Sequence, residues 1–268
     1  MTSAQEWNAA AYHRVSDPQF AWGQAVLARL QLRGDERVVD AGCGTGRLTK
    51  ELAACVPRGV IVGLDASRQM LGQARAHLAD ASTRIHLVEA LLPAMPIGNW
   101  ADVVFSTATF HWVPDHPALF ANIFQALRSG GLLHGQCGGA GNLQRARTPA
   151  ADVMAMPAFS PFFKDWRRIW EFADAEQTAH RLAAAGFEDV ETSLETAPVD
   201  FPDEATYRAF VETVVFRLHL AALPEALRPA FLDEVIQRVM KTADGFTLDY
   251  VRLNLRGRKA TIRRRFSS

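Results

Sequence analysis

The residues best equipped for chemistry in this chain lie where short apolar runs end. Val38-Val39-Asp40-Ala41-Gly42-Cys43-Gly44-Thr45-Gly46 passes from a β-branched pair through an acid into three glycines spaced two apart. Glycine lacks a Cβ, so it permits positive φ and lets a ligand approach the backbone; the first turn of a following helix offers free N–H groups to negative charge. The turn is therefore expected to hold something anionic. Asp65 ends the run Gly59 to Leu64 about twenty residues further on, and its two oxygens can accept hydrogen bonds. Glu89 closes a third run, and Thr107-Ala108-Thr109-Phe110-His111-Trp112 follows a fourth. Unperturbed, His111 titrates near ~6.5, which suits a general base at neutral pH; a hydrogen-bonding pocket wall is the other role open to it.

These positions need strands that stop in one place. After Gly46 the pattern changes to helical spacing, with Leu48, Leu52 and Val56 on one face. Strand, acid and helix then recur. Gly59 to Leu64 precedes a helix with Met70, Leu71, Ala74 and Leu78, and Arg84 to Val88 makes the third strand. Ala101 to Thr107 precedes a helix that Asp115 caps and Ser129-Gly130-Gly131 ends, and Leu132 to Cys137 is the fifth strand. A helix over Gln177 to Ala185 stops at Gly186-Phe187; Glu188 to Thr196 and Thr247 to Arg258 read as a sixth and a seventh strand.

The expected class is α/β: a doubly wound, mostly parallel, seven-stranded Rossmann-like sheet, with an N-terminal helix and a helical insertion before the last strand. Ligands in such sheets bind beyond the carboxyl ends of the strands, where Gly42 to Gly46, Asp65, Glu89 and Thr107 to Trp112 all fall. The pattern divides the chain into an N-terminal helical lid over 1–31, a cofactor-binding core over 32–200 and 245–262, and a helical substrate lid over 201–244. That last segment reads as two helices broken at Leu223-Pro224, with i, i+4 rows Phe231, Val235, Val239 and Leu232, Ile236, Met240. The stretch from Gly138 to Trp170 gives no clear pattern.

Composition narrows the partners. The 268 residues are 49% hydrophobic, enough for a sizeable core, and 29 basic side chains balance 29 acidic ones. No overall field favours nucleic acid or an anionic membrane, so a small molecule is the expected partner. Three cysteines, Cys43, Cys55 and Cys137, do not make a disulfide framework, and no His or Cys spacing suggests a metal site. With no signal-like start and no run near ~18 apolar residues, a cytoplasmic protein, monomer or homodimer, is expected.

The glycine spacing separates the nucleotide-binding possibilities. A dehydrogenase needs G-x-G-x-x-G and a P-loop needs G-x-x-x-x-G-K-[ST]; this chain has G-x-G-x-G with an acid two residues before it. Asp40 to Gly46 resembles the signature of class I S-adenosylmethionine-dependent methyltransferases, and the resemblance covers Val38 to Cys137. It implies S-adenosyl-L-methionine as cofactor, with Gly42, Cys43, Gly44 and Gly46 under its methionine half and Asp40 near its ammonium group. It places Asp65 and Ala66 at the ribose, Glu89 and Ala90 beside adenine where the family more often has Asp-Ala, and Thr107 and Trp112 along the pocket.

The segment from Thr107 to Trp112, with Pro114-Asp115-His116-Pro117, is similar to the trans-aconitate and malonyl-carrier-protein methyltransferase branch. That branch carries glutamine where this chain has His111. The resemblance implies O-methylation of a carboxylic acid, which is ionised at neutral pH and needs no base. Two alternatives stay open: O-, N- or C-methylation of a natural-product acceptor with His111 as base, and a non-catalytic regulatory protein that binds the cofactor. Trp7, Tyr12 and His13 could contact substrate or anchor the N-terminal helix. Arg217 shares an apolar helical row with Phe210, Val214, Leu218 and Ala221, and could clamp an acceptor carboxylate or snorkel at the edge of a packed face.

Overall fold

Apolar strands alternating with amphipathic helices bury both faces of a sheet, and the chain builds this layered arrangement. The computed structural model describes residues 17–81, 83–167, 169–242 and 245–261. They separate into two compact units: residues up to Ala140 with Trp170–Leu194 and the chain from Leu253 onward, and Gly141–Ile169 with Glu195–Arg252. The strands are β1 (Arg37–Ala41), β2 (Val60–Asp65), β3 (Ile85–Glu89), β4 (Ala101–Thr107), β5 (Leu127–Gly138), β6 (Phe187–Thr196), β7 (Val199–Phe201), β8 (Phe246–Leu248) and β9 (Val251–Lys259). Seven of them form one sheet in the order β3-β2-β1-β4-β5-β9-β6. The pairs β1–β2, β1–β4, β2–β3 and β4–β5 are parallel, so the sheet is mostly parallel and its order reverses between β1 and β4.

Successive residues of a strand point to opposite faces, and here both faces are covered. Val38, Ile61, Val103 and Phe105 pack with Val26, Leu52, Ala74 and Leu78; these last come from α1 (Asp17–Ala28), α2 (Arg47–Cys55) and α3 (Arg68–His77) and the residue after it. Val39, Val104 and Leu133 pack on the other face with Leu119, Phe120 and Ile123 of α4 (His116–Ala126). Among the described residues no helix is long and apolar enough to cross a membrane.

The elements after β4 differ from the expected pattern in an instructive way. Helix α4 ends at Ala126, ahead of Ser129-Gly130-Gly131, and β5 begins at once. Its last carbonyls do not need a glycine turn: those of Gln125 and Ala126 accept from the amides of Asn99 and Trp100, and Lys259 Nζ donates to the carbonyls of Phe124 and Leu127. The glycines instead form a bulge, because Ala101↔Leu127 is followed directly by Val103↔Leu132. Gly130 there has φ +77°.

The second unit holds α5 (Gln144–Met154) and, after α6 (Ala175–Ala184) of the first unit, α7 (Glu204–Phe210), α8 (Arg217–Ala221) and α9 (Arg228–Thr242), with β7 and β8 paired antiparallel. The unassigned stretch after Gly138 thus contains a helix. In α9, Phe231, Leu232, Val235, Ile236 and Val239 are buried as the i, i+4 rows predict, whereas Met240 is exposed. The expected last strand is two strands. It breaks at Asp249, whose carboxylate caps the start of α5 by accepting from the amide of Arg145 at 3.1 Å, while Asn142 takes the amide of Val251. The row through Arg217 is also interrupted: Val211–Val215 is a π-turn closed by the Phe216 amide on the Val211 carbonyl at 2.6 Å. The extra residue rotates α8 relative to α7, so Phe216 and Leu220 are buried and Ala221 is exposed.

Entry into β1 depends on Glu36. Buried at 4% exposure, its two oxygens accept from the amides of Arg33 and Gly34 at 2.7 and 3.0 Å. Glu36→Ala is expected to destabilise the protein by about 1.5–3 kcal/mol, since bonds to a charged group are lost and two amides are stranded. Asp35→Ala next to it, on an exposed side chain, is expected to change stability by less than about 0.5 kcal/mol; urea denaturation of both variants measures the contrast.

Candidate functional site

The glycine loop is tied to the end of β2 before any ligand arrives. The amides of Gly42 and Cys43 both donate to the carbonyl of Leu64, at 2.8 and 2.9 Å. The amide of Gly44 donates to Asp65 Oδ2 at 3.0 Å, and that of Ser67 to Asp65 Oδ1 at 2.9 Å. The negative charge expected at this turn is therefore supplied from within, by Asp65. Each carboxylate oxygen thus accepts from a backbone amide.

Two of the glycines are needed for different reasons. At Gly42, with φ +86°, a Cβ would overlap the side chain of Thr109. Gly44, with φ +53°, has no atom within 4 Å of where a Cβ would stand. A side chain at Gly44 would project into open space beside Asp65, which is the kind of cradle a cofactor fills. Ser67 N-caps α3 by accepting from the amide of Met70, which fixes the turn after Asp65 and Ala66. The register Asp65↔Glu89 and the bond from the Ala90 amide to the Asp65 carbonyl at 3.1 Å bring Glu89 and Ala90 alongside. The Glu89 carboxylate is paired with Arg68 Nε at 2.7 Å, a partner that lies one helix earlier.

Asp40 sits beneath this loop, 3% exposed, and accepts from the Thr49 hydroxyl at 2.7 Å. Its position below the loop comes from β1, whose last residues are buried on both faces. Burial pushes the Asp40 carboxyl from its ordinary 3.8 up to about 6; the Thr49 bond opposes the shift and the charge of Asp65 adds to it. The buried Cys43 thiol is pushed up by the same desolvation and by both acids.

Beyond β4 the chain turns through Ala108, at φ +54°, whose amide donates to the Gln136 carbonyl of β5. The Thr109 hydroxyl bonds the Thr107 carbonyl at 2.9 Å. A 3₁₀ turn over Phe110–Trp112 then carries His111. The amide of Gly138 donates to His111 Nδ1 at 3.2 Å, and the amide of Glu171 donates to the His111 carbonyl at 2.9 Å. Because Nδ1 accepts, the ring proton is on Nε2 and the imidazole is neutral. His111 stacks on Phe172 at 5.5 Å, Phe172 on Trp170 at 5.5 Å, and Trp170 approaches Trp112 at 5.8 Å. Four rings thus close around one another.

The sheet brings together the glycine loop, Asp40, Asp65, Glu89, Thr107, His111 and Trp112. Arg217 belongs to the second unit, where burial lowers the pKa of its guanidinium; its candidacy as a clamp rests on sequence alone. Trp7, Tyr12 and His13 lie outside the described residues. Sequence reasoning missed Thr49, Gly138, Glu171 and Phe172. For Thr49 a signal existed, since it sits on the first turn after the loop; for the others the separation in sequence hides the contact. Among the described residues no group of three or more His, Cys, Asp or Glu could hold a metal ion.

The raised pKa of Asp40 means that the folded chain holds this proton more tightly than the unfolded chain. Stability from this group is therefore present below about pH 4 and is lost as pH rises through about 6, by as much as about 3 kcal/mol. Asp40→Asn keeps an acceptor for Thr49 and has no charge to bury. Its melting temperature is expected to exceed that of the parent chain at pH 7.5 and to converge with it near pH 4.5 in calorimetric scans.

Residues 38–131 match the family model for a methyltransferase domain. The chain is similar to trans-aconitate 2-methyltransferase of Variovorax paradoxus, 39% identical over 134 residues that cover 48% of this chain and 48% of that protein. That match spans about half the length of the relative. Trans-aconitate 2-methyltransferase of Delftia acidovorans is 28% identical over 244 residues, covering 87% of this chain and 89% of that protein. The fold is that of phosphoethanolamine N-methyltransferase 2 of Haemonchus contortus, solved with S-adenosyl-L-methionine: TM-score 0.63 at 19% identity, over 94% of this chain and 57% of that one. The glycine loop and the strand-end carboxylates Asp65 and Glu89 all lie inside the segment that matches the methyltransferase domain, and the chain resembles class I S-adenosylmethionine-dependent methyltransferases in sequence and in fold.

Proposed function

We propose that this protein transfers a methyl group from S-adenosyl-L-methionine to a carboxylate oxygen of a small molecule, and that His111 takes part as a neutral, hydrogen-bond-donating pocket wall, not as a base. The observation that carries this reading is the bond from the Gly138 amide to His111 Nδ1. A base needs a free lone pair on the ring. Here Nδ1 is occupied and Nε2 bears the proton, and exchanging the two tautomers would leave a buried amide without its acceptor, at a cost of about 1–3 kcal/mol. A carboxylate makes no such demand, because it is already ionised. The trans-aconitate 2-methyltransferases that resemble this chain support the same acceptor class.

When bound, the cofactor supplies a methyl group made electrophilic by its sulfonium. The acceptor oxygen forms a bond to that carbon as the carbon–sulfur bond breaks, giving a methyl ester and a thioether, and no proton changes place. What remains for the protein is alignment and exclusion of water. Asp65, at the end of β2 beside the open space at Gly44, is assigned the ribose hydroxyls together with Ala66, Gly44 gives the backbone approach, and Glu89 and Ala90 border the adenine side. Asp40 lends negative charge under the loop, toward the cofactor's ammonium group. Thr107, His111 and Trp112 form the wall at which donor and acceptor meet.

Asp65→Asn is expected to weaken S-adenosylhomocysteine binding tenfold or more in isothermal calorimetry, on the ~1.5–3 kcal/mol scale of bonds to a charged group; unchanged affinity removes Asp65 from the site. A labelled-methyl screen should find turnover on carboxylic acids, trans-aconitate first, and none on phenols or amines. On the acid substrate, kcat/KM is expected to stay flat from pH 7 to 9, above the range in which Asp40 titrates, and His111→Gln to keep the parent's profile. An acid limb that vanishes in the variant would make His111 a base after all.

A further inference from the structure

The turn that carries His111 is held by a closed chain of one buried and two half-buried side chains. His116, at the first position of α4 and 1% exposed, places Nε2 at 3.1 Å from the Phe110 carbonyl. A carbonyl only accepts, so Nε2 donates, and Nδ1 must accept from Arg181 Nη1, 2.9 Å away. Arg181, on α6, also donates through both Nη atoms to Glu171 Oε1 at 3.1 Å. The backbone amide of Glu171 then returns to the His111 carbonyl at 2.9 Å. The chain thus starts on one carbonyl of the turn and ends on the next.

Glu171 is also the residue between Trp170 and Phe172, whose rings stack on each other and against Trp112 and His111. Anchoring one carboxylate therefore orients the two rings on either side of it. The ion pair between Arg181 and Glu171 is largely withdrawn from water, where such a pair adds little net stability and serves better to fix a geometry. We infer that His116, Arg181 and Glu171 are positioning residues for methyl transfer: they set the place of the turn, and through it the approach of His111 Nδ1 to the Gly138 amide that selects the tautomer, and the packing of the aromatic wall, without touching cofactor or acceptor. Its kinetic consequence rests on the function proposed above; the geometric one does not.

Arg181→Met keeps the stem and removes both arms of the chain. Labelled-methyl assays on a carboxylic acid are expected to show kcat at least tenfold lower, with the S-adenosylhomocysteine dissociation constant within threefold of the parent and the melting temperature well above that of the assay. Glu171→Gln retains an acceptor oxygen for Arg181 and should keep kcat within threefold. Nitrogen NMR of the ring is expected to show His111 as the single Nε2–H tautomer in the parent and as a mixture in Arg181→Met. The inference is overturned if the variant keeps kcat, if kcat, cofactor affinity and melting fall together, or if His111 stays in one tautomer. Absence of any methyl transfer by the parent chain would defeat the proposed function, and the NMR comparison would still decide the positioning role.

Discussion

A carboxylate that accepts from two backbone amides on different turns organises this site. Asp65 receives Gly44 on one oxygen and Ser67 on the other, so the loop after β1 and the start of α3 are fixed relative to each other by one side chain. Charge-assisted bonds of this kind are among the stronger ones available to a backbone. The parallel pairing of β1 with β2 brings the loop and the acid within reach, and Leu64, just before the acid, takes two more loop amides. The loop is thereby ordered by the fold and does not wait for its ligand.

Asp40 shows the opposite balance. It is buried where its charge is costly, with one hydroxyl in partial compensation and another acid close enough to make matters worse. Such a residue is poorly explained by stability, and the role proposed for it is a negative potential under the cofactor's ammonium group. The two acids at the head of the sheet thus differ: one builds the loop, and the other opposes stability.

Local features of the chain were legible in the sequence. The β-branched pair before the glycines, the acids at the ends of the first three runs and the Asp115 cap all act within a few residues, and β4 spans Ala101–Thr107 as expected. Long-range satisfaction was not legible. Helix α4 stops without glycine because Lys259, more than a hundred residues later, donates to its end, and the last strand breaks because Asp249 is needed to cap a helix. His111 could be recognised as chemically capable, but its tautomer depends on the amide of Gly138, which no spacing announces. The same holds for Arg181, which meets His116 only because α4 and α6 pack together.

The bulge in β5 bears on how the site tolerates change elsewhere. Its surplus residues, Arg128 to Gly131, are taken up next to Ala101, and the pairing from Val103↔Leu132 to Thr107↔Gln136 runs on without a slip. A residue added to or removed from this bulge would be absorbed there, before it could move Gln136 or Gly138. The strand therefore behaves as a rail with a slack loop at one end. Length drift at the remote edge of the sheet is mechanically insulated from the ring nitrogen of His111.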